Sequence, residues 1–270
     1  MSCSRGRRTR AAAAGIASAW ARSDVPRERR FHAAAAGIPP AWAADVVSSN
    51  VVGYNKITLT PGYNMLAPMF TYVGGGEKAI PDIFAENDFV SGEVETDADS
   101  IYLWEDGGYG RTYFFSSDAG DAWSDAQDGF DETTDSLATG LGFWFYNRGN
   151  EKTVTLTGQI PTTNIVFNIA ANTYTMVANP FAAPLPIKSI VPASGVFTSG
   201  EVETDADSIY LWEDGGYSRT YFFSSDAGDA WSDAQDGFDE TDDTIPPGLG
   251  FWFYRRGEAM SITIPVPYTL

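Results

Sequence analysis

Carboxylates at short, repeated intervals are the first groups in this chain that could do chemistry. Asp118, Asp121, Asp125 and Asp128 lie close together along the chain, and Asp226, Asp229, Asp233 and Asp236 repeat them in a second copy of the same run. Hard oxygen ligands on turns loosened by Gly120 and Gly129 suit calcium. The spacing matches neither an EF-hand loop nor a glycine-rich nonapeptide, and the same acids equally suit a solvated face. Upstream, Glu93, Glu95, Asp97 and Asp99 alternate. On a strand they would crowd one face with like charge, so the segment is either a loop or is faced by something positive.

Most catalytic chemistry finds no residues here. The single histidine, His32, and the single cysteine, Cys3, both lie in the first 44 residues. Beyond them there is no base for a serine or cysteine nucleophile and no usual zinc ligand set. Phosphate-loop and dinucleotide-binding fingerprints are absent. Two carboxylates could hydrolyse a glycoside, but each repeat holds twelve acids, so some pair would always fall together by chance. No catalysis is expected.

Tryptophan offers a different chemistry. All six tryptophans after residue 44 fall in equivalent pairs, Trp104/Trp212, Trp123/Trp231 and Trp144/Trp252. Two pairs lie in apolar runs and read as core. Trp123 and Trp231 sit among acids, where a loop tryptophan either stacks on a sugar ring beside hydrogen-bonding carboxylates or plugs the loop onto its own core.

The elements that must position these groups are duplicated. Residues 91–133 return at 199–241 with one difference, Gly110 against Ser218. The flanks diverge more, as GYNMLAPMF against TYTMVANPF shows. Two identical surfaces would suit bivalent attachment or head-to-tail packing, and recent copying explains them equally well. IYLW and the aromatic run after it, joined by Asp106-Gly107, predict a hairpin with a type I′ turn. GLGFWFY at 140–146 and 248–254 carries aromatics on both alternating faces, the pattern of a central strand buried on both sides. AIPDIF predicts a single helical turn. No stretch keeps a helical period, and short strands between turns predict an all-β chain of two tandem sandwich or barrel-like modules, 44–160 and 161–270.

The first 43 residues read as a leader. Arg27, Arg29 and Arg30 precede a short apolar stretch, and Ala41-Trp42-Ala43 gives an A-x-A cleavage site. A near-repeat, AAAAGIASAWA and AAAAGIPPAWA, makes this segment Ala-rich as well as basic. After residue 44, nine Lys and Arg face 34 Asp and Glu, a balance that repels nucleic acid and anionic lipid and draws cations or basic partners. No later segment is long and apolar enough to be a membrane-spanning helix.

The opening NVVGYNKITLTPGYNMLAPMF, with IYLW, TYFF, GLGFWFYNRG and TVTLTG downstream, resembles uncharacterised secreted β-rich repeat proteins of the planctomycete–verrucomicrobial bacterial group. The resemblance spans most of 48–270 and implies a secreted or surface location with no assigned activity. The expectation is an extracellular or cell-surface protein with a structural or adhesive role. Its partners would be another copy of itself or a surface polysaccharide. The alternative is a carbohydrate-binding protein that uses Trp123 and Trp231, assisted by calcium.

Overall fold

The computed structural model describes residues 51–269 apart from 73–76, 86–87, 106, 128–129 and 236–237. The expected leader lies outside the described residues. The described chain is almost wholly β. Its first half runs β1 (Val52–Leu59), β2 (Gly62–Leu66), β3 (Lys78–Ala79), α1 (Ile80–Ile83), β4 (Ser100–Glu105), β5 (Gly108–Ser116), β6 (Ala122–Asp125), β7 (Ser136–Leu137), β8 (Phe143–Asn147) and β9 (Lys152–Gln159). The second half runs β10 (Ile165–Ile169), β11 (Tyr174–Ala178), β12 (Leu185–Pro186), β13 (Val191–Ser194), β14 (Ser208–Glu213), β15 (Gly216–Ser224), β16 (Ala230–Asp233), β17 (Thr244–Ile245), β18 (Gly250–Tyr254) and β19 (Met260–Ile264). Strand alternation accounts for most of these. The predicted helical turn is α1, with Pro81 in its first turn, where a missing N–H costs nothing.

Each half builds the same antiparallel sheet, β2-β8-β4-β5-β6 in the first and β11-β18-β14-β15-β16 in the second. Smaller pieces flank it. β1 pairs with β9 and β3 with β7; in the second half β10, β19 and β13 form a three-stranded piece and β12 pairs with β17. In the second copy the hairpin turn has the left-handed backbone of type I′, with φ of 51° at Asp214 and 80° at Gly215; Asp106, of the turn predicted in the first copy, lies outside the described residues. One core in each half lies between the sheet and the flanking pieces. In the first, Phe143 and Phe145 of β8 meet Leu59, Val154 and Leu156 of the ribbon, together with Ile80 and Ile83. Phe251 and Phe253 do the same in the second, against Ile169, Ile262 and Ile264.

The opposite faces of the two sheets bury each other. A third cluster joins Met65 and Trp144 of the first half to Met176 and Trp252 of the second. This explains why GLGFWFY is aromatic on both faces: one faces its own core and the other faces the second copy. The arrangement is reciprocal. Trp104 Nε1 donates to the Tyr174 carbonyl at 3.3 Å, and Trp212 Nε1 donates to the Tyr63 carbonyl at 3.0 Å. Residues 48–270 accordingly group as one compact unit.

The glycines of each GLG motif permit the approach. A Cβ on Gly142 would stand 2.6 Å from Met176 Cγ and 3.1 Å from the Val177 carbonyl oxygen. On Gly250 it would stand 2.6 Å from Met65 Cγ and 3.2 Å from the Leu66 carbonyl oxygen. These motifs are therefore contact surfaces between the copies as well as strand starts.

Candidate functional site

The site begins with a register shift. β4 pairs with β5 as Leu103↔Arg111 and then Trp104↔Tyr109, which leaves Gly110 as an extra residue. β14 and β15 repeat the bulge, with Leu211↔Arg219 followed by Trp212↔Tyr217 and Ser218 left over. The one residue that differs between the copies is thus the bulged one. Strict alternation would place Tyr109 on the same face as Tyr113, in the core. The bulge inverts the alternation and re-aims Tyr109 onto the face shared with Tyr102 and Thr112. Tyr217 is re-aimed in the same way.

Two equivalent clefts result, each walled by both halves. The first, about 470 Å³, is lined by Tyr63, Tyr102, Tyr109 and Trp144 from one copy and Trp212 and Tyr217 from the other, with Thr112. The second, about 500 Å³, is lined by Tyr174, Tyr210, Tyr217 and Trp252, by Trp104 and Tyr109, and by Thr220. Tyr109 and Tyr217 line both, so the clefts share a wall. These volumes fall within the roughly 300–1,000 Å³ of small-ligand sites.

The rings stand across one another. Trp144 and Trp212 have centroids 5.0 Å apart at 88°, and Trp104 and Trp252 are 4.9 Å apart at 82°. Trp212 meets Tyr217 at 84° and Trp104 meets Tyr109 at 83°. Much ring surface is still open: Tyr109 and Tyr217 are 56% and 57% exposed, Tyr63 and Tyr174 46% and 42%. Burial pushes the phenols of Tyr102, Tyr109, Tyr210 and Tyr217 above their ordinary range. At the outer end of each strip a guanidinium lies over a ring, Arg148 at 4.4 Å from the Tyr146 centroid and Arg256 at 4.2 Å from that of Tyr254.

A polar cleft of about 670 Å³ adjoins the first aromatic one. Tyr63 and Trp212 line both, and Asn55, Lys56, Asn64, Glu213 and Arg219 supply its polar wall. Lys56 is exposed on β1; its counterpart by strand pairing is Val166 on β10, so this wall is not duplicated in kind.

The expected sugar-stacking tryptophans are not available to a ligand. Trp123 and Trp231 lie on β6 and β16, each 2% exposed. Alternation on these strands turns them inward. Trp123 packs on Phe84, Phe89, Phe115 and Phe145, and Trp231 packs on Phe197, Phe223 and Phe253. Trp231 Nε1 also donates to the Ile190 carbonyl at 3.2 Å. A cleft of about 420 Å³ is lined in part by Trp231, which is almost wholly buried there.

The acids divide by position. Asp121 and Asp229 hold left-handed backbone, both with φ of 61°, and Asp125 and Asp233 accept the Gln127 and Gln235 amides at 2.8 Å, shaping the turns themselves. Asp118 and Asp226 lie in the preceding turns, and Asp128 and Asp236 lie outside the described residues. Among the described residues no three acids gather as a metal-ligand group.

The alternating acids upstream form a turn rather than a strand, and its last member has a role that spacing alone does not show. Asp99 is fully buried; it accepts the Val90 amide at 2.9 Å and the Arg148 amide at 2.6 Å, and pairs with Lys152 Nζ at 2.6 Å. Asp207 repeats the two amide bonds, from Thr198 at 2.9 Å and Arg256 at 2.7 Å, but its ion-pair partner is Arg255. Arg255 stands where the first copy has Asn147, and Met260 stands where the first copy has Lys152. The same buried carboxylate is neutralised from two different places, the start of β9 in the first copy and the residue after β18 in the second.

No helix among the described residues is long and apolar enough to cross a membrane. No family model, curated protein or solved structure matches this chain.

Proposed function

We propose that this is a non-catalytic, exported protein of the cell surface whose adhesive element is the pair of aromatic clefts between its two copies. The observation that carries this is the bulge, present in both copies, that turns Tyr109 and Tyr217 out of their cores to stand half-exposed in both clefts. A purely structural role would be better served by leaving those rings buried, since each then adds apolar area to a core. The location rests on the leader and on the likeness to secreted β-rich repeat proteins. A polysaccharide ligand is the second reading. It is favoured by the polar cleft, where Tyr63 and Trp212 can stack on a sugar while Asn55, Lys56 and Glu213 meet its hydroxyls. Calcium remains a proposal for the acidic turns, checked by a higher unfolding midpoint in calcium than in magnesium at equal ionic strength.

The test is retention of the purified chain on cell envelopes of the producing organism and on insoluble polysaccharides. Tyr109→Ala with Tyr217→Ala should release it from cell envelopes, and Lys56→Ala with Asn55→Ala from polysaccharide alone. Retention unchanged by the tyrosine pair would defeat the adhesive reading.

A further inference from the structure

We infer that each aromatic cleft is a cage for a small, soluble quaternary ammonium cation. This rests on the clefts being the binding surface, and it names their ligand. A sugar or peptide entering such a cleft gives up water from its hydroxyls or amides and must recover hydrogen bonds. These clefts offer tyrosine hydroxyls and one threonine each, at the edges of the rings, and little else. Neither is lined by a carboxylate, an amide side chain or an amine. Three of the four indole N–H groups are already used: Trp104 and Trp212 donate to carbonyls across the junction, and Trp252 donates to the Tyr217 hydroxyl at 3.0 Å. What the clefts do offer is ring surface, six rings each, with neighbouring walls near perpendicular. A tetraalkylammonium needs no hydrogen bond. It is held by the negative faces of several rings at once, and tryptophan provides the best of them.

The charge of the chain points the same way. Its formal net charge is −19, and the repeat that builds both clefts carries twelve acids against a single arginine. Such a field raises the local concentration of a cation and lowers that of an anion. Each strip of rings already holds one cation of its own, Arg148 over Tyr146 or Arg256 over Tyr254, and neither of those rings lines a cleft. A zwitterionic or cationic trimethylammonium compound meets these requirements; an anionic or hydroxyl-rich ligand does not.

The experiment is a tryptophan-fluorescence and calorimetric titration of the full chain with choline at constant ionic strength, beside 3,3-dimethylbutan-1-ol, the neutral isostere with carbon in place of nitrogen. The expected result is saturable binding of two choline molecules per chain, at least tenfold tighter than the isostere. Tyr109→Leu with Tyr217→Leu removes the faces shared by both clefts and should weaken choline tenfold or more. The corresponding Phe pair keeps the faces and should retain it, which separates loss of the cage from loss of the fold. Equal affinity for choline and its isostere would overturn the inference and make the clefts simple apolar sites. Absence of saturable choline binding would overturn it as well. Capture by phosphatidylcholine vesicles without binding of free choline would overturn the soluble ligand in favour of a membrane headgroup. In each case the retention test above stands apart: if the tyrosine pair still controls retention on cell envelopes, only the ligand assignment has failed.

Discussion

Moving the buried cation from one strand to another gives a sharp test of how the two copies solve one problem. Lys152→Met leaves Asp99 buried with two amide bonds and no counter-charge. Removing one partner of a buried pair costs about 3–5 kcal/mol. For a unit of this size each kcal/mol lowers the melting midpoint by about 2–4 °C, so the expected fall is roughly 6–20 °C. The second copy supplies the remedy. There, Arg255 Nε donates to the Glu258 carbonyl at 2.7 Å while its NH1 reaches Asp207. In the first copy, Asn147 Nδ2 makes the matching bond to the Asn150 carbonyl at 2.9 Å, so the backbone needed to receive an arginine is already in place. Asn147→Arg added to Lys152→Met should recover more than half of the loss. Differential scanning calorimetry at neutral pH on the two variants, with Asn147→Arg alone, closes the cycle. A fall below 2 °C for Lys152→Met would refute the argument, as would a double variant no more stable than the single.

Other perturbations probe the junction and the cores. Gly142→Ala and Gly250→Ala should each destabilise by about 1–3 kcal/mol in urea unfolding, because the added methyl meets Met176 or Met65 at 2.6 Å. Residues 48–160 alone would expose Met65 and Trp144, and light scattering should find them as a dimer that rebuilds the junction. Trp231→Phe should cost about 1 kcal/mol more than Trp123→Phe, since only Trp231 donates a hydrogen bond that the substitution removes, while the buried Trp123 Nε1 has no partner. Burial, with the hydroxyl donated to Asp243, pushes the Tyr221 phenol up to about 12, and burial with the nearby Asp82 does the same to Tyr72. Because the folded state holds these protons more tightly, their stabilising effect is complete below pH 10 and is lost as the pH rises toward 12. Ultraviolet phenolate titration should show both ionising above the ordinary tyrosine range.

The strands, the type I′ hairpin turn and the two-sided burial of GLGFWFY were legible because each depends on local alternation and turn chemistry. The site was not, because alternation fails where it is built. Counting back along β5 from the buried Tyr113 places Tyr109 in the core, and nothing in Gly110 or Ser218 announces a bulge in both copies. Trp123 and Trp231 erred the other way: acidic neighbours suggested a loop, but the four residues Ala122–Asp125 form a strand, and period two turned the ring inward. Asp99 and Asp207 stood among alternating acids that are otherwise mostly open to solvent, so sequence gave no reason to single them out. Their cations come from β9 and from Arg255, just past the end of β18, which only the sheet order brings near.

The near-identity of the two copies also bears on how the chain finds its fold. Strands β4 to β6 and β14 to β16 carry the same residues except at the bulge, and each set is a cross-strand fit for β8 or for β18. Even the buried charges do not discriminate, since Asp99 would find Arg255 as readily as Asp207 would find Lys152. Early pairing therefore has two wells of nearly equal depth, and only the divergent flanking strands and the length of the connections select between them. Neighbouring units this alike are prone to misassembly, so refolding should branch, with a slow phase that grows when the chain folds away from its ribosomal, first-half-first order.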